Sequence, residues 1–165
     1  PGPADGGGQI RKKLVRGKMM EIIPMTRQHV TQVAALEKLC FSAPWSEASV
    51  AGELENPLSV WLVCVDQGKV LGYVGSQTVL DETDMMNIAV LPEARRAGIG
   101  ERLILSLIEL LKDRGSRSLA LEVRASNTPA ISLYKKLGFL QVGRRPNYYR
   151  GPREDALIFR KEWQA

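Results

Sequence analysis

Between Asn87 and Gly115 the chain changes its hydrophobic period once, and that change constrains the fold more than any other stretch. Ile88-Ala89-Val90 is short and apolar, as a buried strand is. From Gly100 onward, Leu103, Ile104, Leu107, Ile108 and Leu111 recur at the spacing of one helical face. Gly115 stands where a left-handed helix cap belongs. The connection is Arg95-Arg96-Ala97-Gly98-Ile99-Gly100-Glu101. Glycine lets the backbone approach a ligand and adopt positive φ. The first helical turn leaves its N–H groups unpaired, and the helix dipole adds about half a positive charge there. A phosphate or pyrophosphate suits such a place, and Arg95 and Arg96 can add charge-assisted hydrogen bonds. The loop lacks the Lys-Ser/Thr of the Walker motif, and Leu103 stands where the dinucleotide fingerprint needs its third glycine. An ordinary solvated turn is the competing reading of Arg-Arg-Ala-Gly.

Other features exclude chemistries. At 165 residues the chain fits one domain. No apolar run reaches the roughly 18 residues that span a bilayer, and no signal-peptide core precedes the domain, so a cytoplasmic protein without membrane partners is expected. Cys40 and Cys64 are isolated and read as reduced, buried thiols. The single histidine, His29, leaves no zinc site and no Ser-His-Asp or Cys-His arrangement, so no metal is expected; His29 itself reads as a surface residue. Arg11, Lys12, Lys13, Arg16 and Lys18 oppose only Asp5 in the first eighteen residues, so most of the net charge of +5 lies there. The high pI is therefore weak evidence for a nucleic-acid surface, and no direct nucleic-acid contact is expected. Residues 1–19 read as a flexible basic tail or a segment added by cloning, with a basic RNA-binding arm as the alternative. Residues 20–165 read as one domain.

Strands are expected at residues 21–25, 59–66, 70–80, 85–91, 118–123, 139–143 and 156–163. Helices are expected from Thr26 to about Cys40, from Ser46 to about Glu55, from Gly98 to Gly115, and from Asn127 to Gly138. Short turns make the second to fourth strands an antiparallel meander. The helical crossover makes the fourth and fifth strands parallel. The order β-α-α-β-β-β-α-β-α-β-β is that of a mixed α/β sheet and not of a dinucleotide-binding fold.

Arg95-x-x-Gly98-x-Gly100 after the strand Ile88-Ala89-Val90 resembles the acetyl-CoA loop of the GCN5-related N-acetyltransferases, whose element order the whole domain follows. Glu122 on the fifth strand, then Asn127-Thr128-Pro129, Tyr134 and Gly138-Phe139, resembles the second half of that family's core. The resemblance implies acetyl-CoA as co-substrate. It places the pyrophosphate on residues 95–101 and the pantetheine arm on the backbone of Ile88, Ala89 and Val90 and on Asn127, with the Val90 amide facing the thioester oxygen. It makes Glu122 the base that deprotonates the amine and Tyr134 the acid beside the sulfur. The residues alone also allow plainer roles: Tyr134 as a core aromatic, Asn127 as a helix cap, Glu122 as a salt-bridge partner.

The segments Pro44-Trp45-Ser46-Glu47 and Asn147-Tyr148-Tyr149 to Glu154-Asp155-Ala156 resemble the branch of the family that acetylates the N-terminal alanine of a small-subunit ribosomal protein. The resemblance implies a protein N-terminus as acceptor, held near Trp45, Tyr148 and Asp155. Trp45 also fits a core anchor and Arg150-Gly151-Pro152 a hairpin turn. An acetyltransferase for another small amine, or a CoA-binding regulatory module without turnover, are the alternatives.

Overall fold

Eight strands form one sheet in the order β1-β2-β3-β4-β5-β6-β8-β7 in the computed structural model, which describes residues 11–15 and 18–164. Along the chain these are β1 (Arg11–Val15), β2 (Lys18–Pro24), β3 (Ser59–Asp66), β4 (Lys69–Val79), β5 (Glu82–Val90), β6 (Ser118–Arg124), β7 (Leu140–Tyr149) and β8 (Glu154–Glu162). The helices are α1 (Val30–Cys40), α2 (Glu47–Glu53), α3 (Ile99–Asp113) and α4 (Thr128–Lys136). All seven expected strands form, and the expected parallel pair is β5 with β6. The expected tail, residues 1–19, lies outside the described residues at 1–10, 16 and 17. Within it, Arg11–Val15 pairs antiparallel with β2 and extends the sheet by one strand.

Alternation along the strands sends side chains to two cores. On one face Leu62, Cys64, Met85, Leu119, Leu121 and Val123 pack with the apolar stripe of α3 and with Tyr134, Phe139 and Phe159. On the other, Trp61, Val63, Tyr73 and Ala89 pack with Val30, Val33 and Leu36 of α1 and Val50 of α2.

The helix ends follow local chemistry. Ser46 caps α2 by accepting the Ser49 N–H at 3.0 Å. Asn127 caps α4 by accepting the Ala130 N–H at 3.3 Å. α3 and α4 both end on a glycine at positive φ, Gly115 and Gly138. Each end carries the paired bonds of a Schellman turn: Ser116 to Leu111 with Gly115 to Lys112, and Phe139 to Tyr134 with Gly138 to Lys135.

Two expectations fail locally. His29 is 3 % exposed, because its Nδ1 reaches back to accept the Thr26 N–H at 2.9 Å and closes the start of the first helix. Burial lowers its pKa. Cys40 is only half-buried, whereas Cys64 is buried and its thiol is pushed up to about 11 by that burial.

Candidate active site

The parallel pair comes apart. β5 stays on β4 as far as Val90, and β6 stays on β8 along its whole length. Between β5 and β6 the ladder covers only Glu82–Ser118, Thr83–Leu119 and Asp84–Ala120. The cause lies two residues beyond the last pair. Met85 faces Ser76 and Asn87 faces Gly75, so Met86 is an extra residue, a β-bulge that bends β5 away from its neighbour. The split leaves a wedge at the C-terminal ends of two parallel strands, with α3 and α4 starting at its mouth.

Backbone polarity inside the wedge follows from one bond. The Leu91 N–H donates to the Leu71 carbonyl on β4 at 2.8 Å. The groups of neighbouring residues point to opposite edges of a strand, so those of Val90 and Ile88 point into the wedge and those of Ala89 toward β4. Ala89 also buries its side chain in the α1 face. Unpaired groups on an inner edge need partners, and β6 supplies none beyond Asp84.

At the mouth, α3 begins without a side-chain cap. Gly98, at φ +74°, is its N-cap, and the ladder starts only with the Arg102 N–H on the Gly98 carbonyl. Where α2 and α4 spend a side chain on their first N–H groups, α3 has no side-chain cap, the condition under which a helix start can receive an anion. Arg96 precedes them at φ +67°. Ile99 is buried in the core, so only its backbone is available, and Glu101 pairs with Lys136 of α4 at 3.1 Å. Arg95 is placed differently from the expectation. Its Nε donates to the Val90 carbonyl at 3.1 Å and its guanidinium lies 3.6 Å from the Cys40 sulfur, so it braces the end of β5 against α1.

The two expected catalytic side chains sit on opposite sides of the wedge. Leu119, Leu121 and Val123 of β6 face α3, so Glu122 projects to the other face. Its carboxylate lies 3.1 Å from Arg145 Nε, and its proximity raises the pKa of the Tyr148 phenol. Tyr134 lies on the α3 and α4 side, 5 % exposed, its ring 5.8 Å from Phe139 and 6.2 Å from Phe159. The contact with Phe139 is the apolar pair that accompanies a Schellman turn, so the helix end that terminates α4 also fixes the phenol. Burial, then the nearby Tyr149, pushes its pKa up to about 12. Asn127 spends its side-chain oxygen on the cap and keeps its amide donors.

Two segments meet over the Glu122 face. In β7, two extra residues lie between Arg145, opposite Ala156, and Tyr149, opposite Glu154. Asn147, at φ +53°, turns this bulge, and Asp155 holds it by accepting from the Asn147 N–H at 2.8 Å and from Arg144 Nε at 2.7 Å. Asp155 therefore shapes the hairpin that presents Tyr148 to Glu122. Arg124 lies 4.5 Å from the Tyr149 ring and donates to the carbonyls of Arg150 and Pro152. Across from them Trp45 is half-buried, its ring edge-on to Trp61 at 5.4 Å, so it is anchored on the α1 face.

Sequence reasoning missed Glu37. This carboxylate is fully buried and takes hydrogen bonds from the Tyr73 hydroxyl, Asn87 Nδ2 at 2.8 Å and the Trp45 N–H at 3.1 Å. The phenol of Tyr73 is pushed far above its ordinary range by burial and by Glu37. The signal was present: Val30, Val33, Ala34 and Glu37 share the i, i+3, i+4, i+7 face of α1. Among the described residues no group of His, Cys, Asp and Glu is spaced to hold a metal ion.

Comparison with known proteins agrees with this geometry. The family model "Acetyltransferase (GNAT) family" matches residues 30–139. The ribosomal protein bS18-alanine N-acetyltransferase of Escherichia coli (strain K12) is 43 % identical over 126 residues, spanning 74 % of this chain and 84 % of that protein. The crystal structure of the ribosomal-protein-S18-alanine N-acetyltransferase from Escherichia coli superposes with a TM-score of 0.83 at 36 % identity, covering 89 % of this chain and 96 % of that one. Arabidopsis thaliana NAA60 in complex with acetyl-CoA shares the fold at a TM-score of 0.81 and 19 % identity, covering 87 % of this chain and 98 % of that one.

Proposed function

Since the chain belongs to the acetyltransferase (GNAT) family, we propose that it acetylates the α-amino group of a protein N-terminus, namely the N-terminal alanine of a small-subunit ribosomal protein. The carrying observation is the split between β5 and β6, with Glu122 on one face of β6 and Tyr134 on the other side. The relatives' names support the acceptor, and the co-substrate's cytoplasmic supply supports the same location for the reaction. No helix among the described residues is long and apolar enough to cross a membrane.

Acetyl-CoA supplies an activated thioester and a thiolate leaving group. The residues at the wedge fit it: the uncapped start of α3 for the pyrophosphate, with Gly98 admitting close approach, and the open groups of Ile88 for the amides of the arm, the Val90 carbonyl being taken by Arg95. Arg96 adds positive charge at the same loop. The Val90 N–H is the donor to the carbonyl oxygen as charge develops there.

Glu122 removes the proton that an ammonium must lose before it can attack. An α-amine ionises near pH 8 and lysine near about 10.4, so a carboxylate base serves an N-terminus far more easily than a lysine. Tyr134, neutral at working pH, gives its proton to the sulfur from the opposite side. No side-chain nucleophile takes part; Cys64 is buried in the core. Trp45 and Tyr148 flank the incoming peptide.

The test uses labelled acetyl-CoA, a synthetic peptide that starts with alanine and contains a lysine, and mass-spectrometric mapping. Label is expected on the terminal α-amine. Glu122→Gln is expected to slow transfer by about 10²–10⁴ at neutral pH. Label on the lysine, or full activity in that variant, would overturn the reading.

A further inference from the structure

The bulge at Met86 does more than open the wedge. Met85 packs on the α3 face, while Met86 packs on the α1 face. Simple alternation would return Asn87 to the α3 face. Because the extra residue slips the phase by one, Asn87 also points to the α1 face, where its Nδ2 bonds Glu37. Ile88 and Ala89 then resume the alternation. Asn87 is thus a polar side chain on the edge of β5 that faces the wedge, on the same face as Glu122 of β6.

Its orientation is decided by its partner. The Glu37 carboxylate only accepts, and it already gathers donors from Tyr73 and Trp45. The Asn87 amide must therefore turn its NH₂ inward and its Oδ1 away from Glu37. Asn87 is half-buried, and among the described residues Oδ1 is not one of the buried, unpartnered side-chain atoms. It is an acceptor held ready at the surface of the wedge.

We infer that Asn87 Oδ1 receives an N–H of the acceptor's α-amino group across the wedge from Glu122, and that Glu37 is the positioning residue that fixes this orientation. This rests on the peptide-acetylating reading above. An α-ammonium carries three N–H donors. Glu122 takes one before attack, and Asn87 holds another, so that the amine is tethered as its lone pair turns from Glu122 to the thioester. A neutral amide suits this second position, since it holds the amine without competing for its proton.

The experiment measures steady-state kinetics with the alanine-started peptide, and acetyl-CoA affinity by calorimetry, for the unmodified chain, Asn87→Ala, Glu37→Gln and the double variant. Asn87→Ala is expected to raise the peptide KM by roughly tenfold, the scale of one hydrogen bond to a charged group, with acetyl-CoA affinity unchanged. Glu37→Gln, which lets the amide turn over, is expected to raise the same KM. The double variant is expected to be no worse than Asn87→Ala, because the two act through one contact. A peptide KM in Asn87→Ala within about twofold of the unmodified chain would overturn the inference, as would an equal loss of acetyl-CoA affinity. Additive effects in the double variant would overturn the positioning role of Glu37. Asn87 is half-buried, so its alanine variant carries the test even where Glu37→Gln fails to fold. Absence of turnover in the unmodified chain would overturn the functional reading itself, which is read separately from the ratios between variants.

Discussion

At the scale of single residues, Tyr134 joins function to structure most tightly. Its ring belongs to the core and its backbone carbonyl accepts the Phe139 N–H that ends α4. Phenylalanine in its place keeps the packing and removes only the hydroxyl, and with it the proton. Tyr134→Phe is therefore expected to slow acetyl transfer at least about tenfold while acetyl-CoA binding by calorimetry stays intact. Its titration adds a second consequence. Tyr134 and Tyr149 are each raised to about 12, chiefly by burial. An unfolded tyrosine ionises near about pH 10, so above that pH the unfolded chain gives up protons that the folded chain keeps. The stability from both phenols is complete below about pH 10 and is lost as pH rises toward 12. Urea midpoints are expected to hold between neutral pH and about 9.5 and to fall above 10, less steeply in Tyr134→Phe. Unchanged steepness would remove burial of this phenol as the cause.

At the scale of elements, the site is made where regular structure is interrupted. The bulge in β5 opens the wedge, the bulge in β7 delivers Tyr148, and the uncapped start of α3 provides the proposed anion cradle. Gly98 is the residue on which the cradle turns. A Cβ there would meet no heavy atom within 4 Å, so the obstacle to a side chain is the positive φ and not crowding. Gly98→Ala is expected to cost about 1–2 kcal/mol in thermal or urea unfolding and to weaken acetyl-CoA binding as the first turn of α3 relaxes. Undiminished binding together with the stability loss would assign the glycine to folding alone.

At the scale of the whole molecule, the sheet divides the labour. In the proposed reading the α3 and α4 face holds the cofactor and the α1 and α2 face the acceptor, and the split in the parallel pair joins the two. The N-terminal strand β1 sits at the far edge, four strands from β5 in the sheet order. We propose that residues 20–165 form the working domain. A chain that starts at Met19 is expected to melt within about 4 °C of the full chain, roughly 1 kcal/mol or less, with unchanged turnover. A larger loss in either would make β1 part of the domain.

The amino-acid order by itself determined the element sequence from residue 20 onward, the parallel pair, the glycine loop before α3 and the resemblance that points to Glu122 and Tyr134. These depend on periods of two and 3.6 and on caps, which are local along the chain. The sequence could not show that Arg95 braces Val90 and Cys40, that His29 is buried by closing onto Thr26, or that Asp155 holds a bulge. Each depends on partners brought together by folding. It hid Asn87 for the same reason: one extra residue in β5 reverses the alternation that assigns side chains to faces, and only the pairing with β4 reveals that the residue is extra. Which groups face the substrate was decided by register between strands, a relation that no single stretch of the chain contains.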